Sequence, residues 1–100
     1  VANSHDAISA MVVKEFALSS AYPNPFNPST TVELSVPEAG HVSVMVYNLN
    51  GQLITKLVDD IMNADNYQFT WIADNAPSGM YLLRAEYAGQ VFTQKLMLLK

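Results

Sequence analysis

Residues 41–58 read HVSVMVYNLNGQLITKLV, and this stretch decides the fold class. Every second position from Val42 to Val46 is valine, the period of two that a β-strand shows when one of its faces is buried. Asn50-Gly51 follows, and this dipeptide predicts a two-residue type I′ hairpin because both central positions of that turn need a positive φ. The chain should therefore return as a second strand over residues 52–58.

The same alternation recurs along the rest of the chain, and clusters of turn-forming residues separate the rows. Apolar or aromatic side chains at every second position form the rows Val32-Leu34-Val36, Tyr67-Phe69-Trp71 and Tyr81-Leu83-Ala85-Tyr87. A last strand is predicted over residues 91–99, and turns are predicted at residues 37–40, 74–79 and 88–89. One flat sheet would leave an apolar face in water, so two sheets packed face to face are expected.

These patterns predict an all-β fold, an immunoglobulin-like antiparallel β-sandwich of about seven strands. The chain contains no cysteine, so this sandwich has no disulfide. Its length of 100 residues is close to the commonest size of a single domain. Residues 1–13 hold no strand or helix period and are predicted to be a linker, with residues 14–100 forming the domain. The side chains expected inside it are Val42, Val44, Val46, Phe69, Trp71 and Leu83.

Two segments break the alternation. Residues 22–28 contain three prolines, which have no N–H to donate to a strand ladder, so a stiff extended crossing is predicted there instead of a central strand. Residues 59–66 are polar and acidic, and they are predicted to form a loop.

Composition excludes several classes of partner. The net charge is −4 with only five lysines and arginines, so the chain lacks the clustered basic residues that bind nucleic acid or anionic lipid. Without cysteine there is no thiolate chemistry. No apolar run approaches the ~20 residues that cross a bilayer, so membrane insertion is not expected. A signal peptide is not visible, and an exported parent protein would carry one upstream.

Few side chains suggest chemistry. His5 and His41 are the two histidines, and neither has neighbours that would complete a metal site or a catalytic triad. The acidic loop offers oxygen ligands of the kind that Ca²⁺ accepts, without the spacing of an EF-hand, at Asp59, Asp60, Asn63 and Asp65. A solvated loop is the stronger interpretation, and this loop is only a weak metal candidate. We predict no catalytic residue, no enzyme activity and no cofactor.

Four aromatic residues could form a platform on which a sugar ring stacks, namely Trp71, Tyr67, Tyr81 and Tyr87. Trp71 lies on the same row as Phe69, however, which favours packing in the core. Taken alone, the residues indicate an Ig-like domain and no particular activity.

Several short motifs occur in a fixed order along the chain. They are AYPNPFNPSTT at residues 21–31, PEAG at 37–40, VYNLNGQ at 46–52, Trp71, SGMY at 78–81 and KLMLLK at 95–100. Through these motifs the chain resembles the type A C-terminal sorting domain of the type IX secretion system, and it shares features with FlgD-like Ig modules. The resemblance covers residues 16–100. It departs from many members in having Ile72 where an acidic residue follows the tryptophan, which leaves the FlgD-like variant open.

The resemblance implies a role as a C-terminal tag on varied exported proteins of Gram-negative bacteria, with residues 1–13 as the linker from an upstream cargo domain. The tag directs its cargo through the periplasm and the outer-membrane translocation machinery, and a surface sortase removes the tag and couples the cargo to anionic lipopolysaccharide. The cargo would reach the outer-membrane surface or the medium. An Ig-like accessory or carbohydrate-binding module of a secreted enzyme is the alternative.

Residue by residue, the resemblance assigns partner recognition to the motif positions Pro23, Asn24, Pro25, Gly79, Tyr81, Lys95, Leu96, Met97, Leu98, Leu99 and Lys100. The apolar residues 96–99 occupy both faces of the predicted last strand, so both faces are expected to be covered. A receptor could read such a strand by pairing with its edge.

Overall fold

The computed structural model describes residues 15–100, and the part that it describes is an all-β sandwich, as predicted. The predicted linker, residues 1–13, lies outside the described residues, as does His5. Within residues 15–100 no helix is long and apolar enough to cross a membrane. The seven strands are β1 (Ala17–Leu18), β2 (Ser29–Val36), β3 (Gly40–Asn48), β4 (Leu53–Met62), β5 (Asp65–Ile72), β6 (Gly79–Tyr87) and β7 (Gln90–Leu98).

The strands form two antiparallel sheets. One has the order β1-β2-β5 and the other has the order β4-β3-β6-β7. In the constant-type immunoglobulin arrangement the fourth strand lies beside the fifth. Here β4 pairs with β3 instead, so the side of β5 that faces away from β2 has no strand partner among the described residues.

The core lies between the sheets and is built from the rows of alternating residues. Val42, Val44 and Val46 are fully buried, with the buried row of β6 beside them in the same sheet and the buried row of β2 in the other sheet. Trp71 is 6% exposed and Leu83 is 1% exposed, as expected of core residues. Phe69 is only half-buried and packs beside Tyr67, with 6.4 Å between the ring centroids. Because β5 is an edge strand, its side chains are covered from one side only.

The turn at Asn50-Gly51 is not the predicted type I′ turn. Gly51 has a φ of 82°, whereas Asn50 does not have a positive φ. The Gly51 N–H donates to the Asn48 carbonyl at 3.1 Å and the Asn48 N–H donates to the Gln52 carbonyl at 3.0 Å, so the loop has three residues and ends in a glycine bulge. The side chain of Asn48 selects this loop, because its Oδ1 accepts the N–H groups of both Asn50 and Gln52.

The positive-φ pair that defines a type I′ turn occurs instead at Ala88-Gly89, where the φ angles are 49° and 80°. Tyr87 pairs with Gln90 across this turn. Ala88 is the only non-glycine residue in the described chain with a positive φ.

The prediction of an acidic loop over residues 59–66 was also wrong. β4 continues to Met62 and β5 begins at Asp65, so only two residues connect them. β4 extends this far because its last residues pair with the start of β3, where Gly40 is opposite Met62. The tertiary partner therefore overrides the polar composition of the segment.

Candidate recognition surface

The proline-rich segment lies along the edge of the last strand. It forms no named strand, as predicted, but Phe26 makes a parallel bridge with Leu98. The Phe26 N–H donates to the Met97 carbonyl at 2.9 Å, and the Leu99 N–H donates to the Phe26 carbonyl at 3.0 Å. One residue of the segment thus satisfies two main-chain groups at the end of β7.

Asn24 continues this pairing with its side chain. Its Nδ2 donates to the Lys95 carbonyl at 2.9 Å, and its Oδ1 accepts the Met97 N–H at 3.0 Å. A carboxamide carries one donor side and one acceptor side, as a peptide group does. Asn24 therefore replaces a strand residue between two prolines that cannot donate.

Gln94 makes the reciprocal contact from β7. Its Oε1 accepts the Ala21 N–H at 2.8 Å, and its Nε2 donates to the Ser19 carbonyl at 2.8 Å. Together with Asn24 and Phe26, it closes the edge of β7 from residue 94 to residue 99. A receptor strand could pair with this part of β7 only after displacing residues 19–26.

The Gly-x-Tyr motif supports the same strand from the other side. Gly79 pairs with Leu98 and has a φ of 150°, a backbone conformation that residues other than glycine rarely adopt. Tyr81 is 4% exposed, and its hydroxyl donates to the Pro77 carbonyl at 2.6 Å. Both residues therefore have structural roles in this corner of the sandwich.

The end of the chain is tied to the loop before β6. The Lys100 N–H donates to Ser78 Oγ at 2.9 Å, and Lys100 Nζ donates to the Asp74 carbonyl at 2.6 Å. The side chain of Lys95 is exposed to solvent. Of the two lysines, Lys100 thus has its ammonium group held in place.

The terminal strand is not covered on both faces, contrary to expectation. Leu96 and Leu98 are fully buried, whereas Met97 is half-buried and Leu99 is 53% exposed. The reason is that the outer face of the four-stranded sheet has no further layer in the described structure.

Aromatic contacts join the proline-rich segment to Trp71 and to the Gly-x-Tyr motif. The Phe26 and Trp71 ring centroids are 5.4 Å apart, and Trp71 meets Tyr81 edge-on at 5.1 Å. Phe26 is 2% exposed, so the proline-rich segment is anchored in the core by this ring. We call the continuous surface formed by residues 22–28, 78–81 and 95–100 the motif surface.

The match to a known protein family covers the same segments of the chain. The family model described as "Secretion system C-terminal sorting domain" matches residues 20–99, which include every part of the motif surface except Lys100. The chain belongs to this family. Membership makes it a sorting domain for type IX secretion, which delivers proteins to the cell surface or the extracellular space. Among curated proteins, none is similar enough to count as a match. The relation to FlgD-like modules stays a prediction.

Three of the four aromatic residues considered for a sugar platform are buried, and the fourth, Tyr67, is half-buried. Trp71, Tyr81 and Tyr87 are at most 8% exposed, and the Tyr87 hydroxyl donates to the Glu38 carbonyl at 2.8 Å. A stacking platform needs an exposed ring face, and these three rings present none.

The weak metal candidate of the sorting domain is not a loop, because its residues belong to β4, β5 and the short turn between them. Asp59 Oδ1 lies 2.7 Å from His41 Nε2, and Lys56 Nζ lies 3.6 Å from the second oxygen. Asp60 and Asp65 each accept the N–H of the residue that follows them. Within residues 15–100, no group of three or more histidines and acids could hold a metal ion.

Sequence reasoning selected the motif residues of the sorting domain but missed those that hold the motifs together. Gln94 and Phe26 were not singled out, and Asn24 was assigned to a partner without its bonds to β7. A signal existed for Asn24, since its side-chain amide stands between two prolines, which have no N–H to donate. No local signal exists for Gln94, whose partners are more than 70 residues away in sequence.

Proposed function

We propose that this sorting domain directs an attached upstream cargo across the outer membrane through the type IX machinery. We further propose that a surface sortase separates the cargo from the domain and attaches it to the cell surface. The observation that carries the proposal is the convergence of the family motifs. Segments more than 70 residues apart in sequence meet in one hydrogen-bonded unit.

A sorting signal must present the same surface on every cargo. The motif surface meets this requirement because its main chain is fixed by contacts inside the domain, among them the Asn24 bonds to β7 and the Phe26 ring in the core. A preformed surface also avoids the ordering cost of binding that a disordered signal would bear. The machinery would then read exposed groups on it, among them Lys95, Leu99 and Lys100.

The test is a fusion of residues 14–100 to a passive periplasmic reporter in a host with type IX machinery. The intact domain should deliver the reporter to the surface or the medium. Deleting residues 95–100 would also remove the partners of Asn24 and Phe26, so loss of export in that variant could reflect unfolding alone.

The decisive variant is therefore the double change Lys95→Gln and Lys100→Gln, which removes two charges and keeps the aliphatic stems. Lys56→Gln removes one charge from β4, outside the motif surface, and serves as the matched control. We expect the double variant to stay folded, losing at most the stability of the Lys100 bond to the Asp74 carbonyl, and to leave the reporter in the periplasm, while the control is exported. If the intact domain itself leaves its reporter in the periplasm, the proposal fails and an accessory Ig-like module becomes the better description.

The sortase step has its own measurement. Mass spectrometry of the delivered reporter should show that residues 14–100 are absent and that a lipopolysaccharide component is attached. A reporter that reaches the surface with the domain still joined to it would contradict the cleavage step while leaving export intact.

A further inference from the structure

The side of β5 that faces β4 is an unoccupied position for one more strand. In constant-type immunoglobulin domains the fourth strand fills this position. In the sorting domain β4 belongs to the other sheet. The position beside β5 is therefore not filled by any described segment. β5 pairs with β2 without any bulge over its whole length, from Asp65 to Ile72, so its main chain is regular enough to pair on the other side.

The edge of β4 is protected along its length and the edge of β7 is protected over its second half, whereas the edge of β5 is not protected. β4 has two register shifts, which leave Ile54 and Leu57 without partners on β3, and it carries Lys56 among its charged residues. Bulges and charges are the usual devices that prevent edge pairing. β7 is covered by residues 19–26 at its end. Residues 66–73, by contrast, contain neither a charge nor a proline.

A cleft of about 370 Å³ lies beside the same edge, between β4 and the end of β5. Trp71 and Ile72 line it from β5, and Ile54 lines it from β4, with Ala76 from the following loop. Ile72 is 64% exposed and Ile54 is 40% exposed. Thr55 and Asn75 also line the cleft, so an aliphatic side chain of an added strand would contact its apolar side, formed by Ile54, Trp71 and Ile72.

The opposite end of the edge is acidic. Asp65 begins β5 and Asp60 lies near the end of β4, and neither takes part in an ion pair within residues 15–100. In an antiparallel arrangement the C-terminal end of an added strand would lie beside Asp65. A basic residue there would complement the charge.

We propose that the free edge of β5 binds an extended segment of a partner protein as an added antiparallel strand. The segment is apolar at alternate positions, places an aliphatic side chain in the cleft beside Trp71, and carries a basic residue at its C-terminal end. The edge of β5 lies outside the motif surface and meets it only at the cleft, which Tyr81 also lines. The domain therefore has two adjacent recognition surfaces.

The test uses the purified domain and the synthetic peptide acetyl-Thr-Leu-Thr-Val-Thr-Val-Thr-Lys-amide. Its leucine would face Trp71, and its lysine would lie beside Asp65. Trp71 is the only tryptophan, so its fluorescence reports on the cleft directly. Binding should change this fluorescence and slow hydrogen exchange of amides in β5, with those of β7 unchanged. Exchanging the leucine for serine should weaken binding about tenfold, because the aliphatic contact is lost. Exchanging the lysine for glutamate should weaken it in a salt-dependent way.

Two matched variants locate the site on the domain. Gln68→Lys places a charge on β5 opposite Glu33, and Val91→Lys places one on β7 opposite Glu86, so each new lysine faces a glutamate across its strand pair. We expect Gln68→Lys to weaken peptide binding about tenfold, since an edge lysine opposes pairing, and Val91→Lys to leave it unchanged.

The proposal is overturned if the peptide does not bind at millimolar concentration, or if protection appears on β4 or β7. It is equally overturned if sedimentation shows that the domain dimerises and Gln68→Lys abolishes the dimer, because the occupant would then be a second copy. All of these measurements use the isolated domain, so their failure leaves the export proposal untouched.

Discussion

The side-chain amide of Asn24 donates to the main-chain carbonyl of Lys95 at 2.9 Å, across 71 positions of sequence. Its oxygen accepts a second main-chain group of β7, so one side chain holds the start of the domain against its end. Each such bond contributes about 0.5–1.5 kcal/mol. Asn24→Ala should therefore lower the free energy of unfolding by about 1–2 kcal/mol in urea titrations, as expected for two lost bonds.

Asn27→Ala is the control, because Asn27 lies in the same segment and is exposed. We expect this change to stay within about 0.5 kcal/mol of the wild type. Equal stabilities of the two variants would show that the Asn24 bonds do not hold β7.

Trp71 should be the most costly single truncation. Its ring packs between Phe26 and Tyr81 and is 6% exposed, so Trp71→Ala leaves a large void. We expect a loss of about 3–5 kcal/mol, a large part of the stability of a small domain. Ile72→Ala, next in the chain but 64% exposed, should cost far less. A Trp71→Ala melting curve that matches the Ile72→Ala curve would contradict the packing described above.

Gly79 is required for its backbone conformation and not for space. A Cβ at this position would meet no atom within 4 Å, but the φ of 150° is strained for any other residue. Gly79→Ala and Gly79→Asn should each cost about 1–3 kcal/mol.

Gly51 provides the comparison, since its φ of 82° is near the left-handed region that asparagine tolerates. Gly51→Asn should therefore unfold close to the wild-type denaturant midpoint. If Gly79→Asn were equally mild, the backbone explanation for this motif glycine would be wrong.

Ala88 offers a stabilising change. It adopts a φ of 49° in the type I′ turn, where asparagine is preferred. Ala88→Asn should raise the free energy of unfolding by about 0.5–1 kcal/mol, because it relieves the left-handed strain of alanine. Gly89→Ala introduces the same strain at a φ of 80° and should lower it. Calorimetry of the two variants measures both effects, and shifts of the same sign would refute this account of the turn.

The rows of alternating residues made the fold predictable, since a buried strand face has a local signature. Val42, Val44 and Val46 could be placed inside without knowing their neighbours. The turn at Asn50 could not be assigned so simply, because the side chain of Asn48 selects the loop. The alternation predicts a buried Phe69, but this residue is only half-buried, because alternation does not show which strand lies at an edge.

The recognition surface was predictable only as a set of residues. The resemblance selected Asn24, Gly79 and Lys100, but no local pattern indicates that Asn24 pairs with β7 or that Lys100 binds the Asp74 carbonyl. These contacts join distant parts of the sequence, and their existence depends on how the two sheets close. That a partner protein recognises the motif residues stays a prediction for every one of them.

The clamp between residues 19–26 and β7 also sets the order in which the domain can be completed during synthesis. Roughly 70 residues must be made after Asn24 before its partners on β7 exist, which at about 5–20 residues per second takes on the order of 4–14 seconds. Throughout that interval the main-chain bonds of Phe26 and the side-chain bonds of Asn24 to β7 cannot form. The nascent domain therefore lacks these contacts until its final strand is available. A chain stalled or truncated before β7 would form an incomplete sandwich that quality-control proteases can attack.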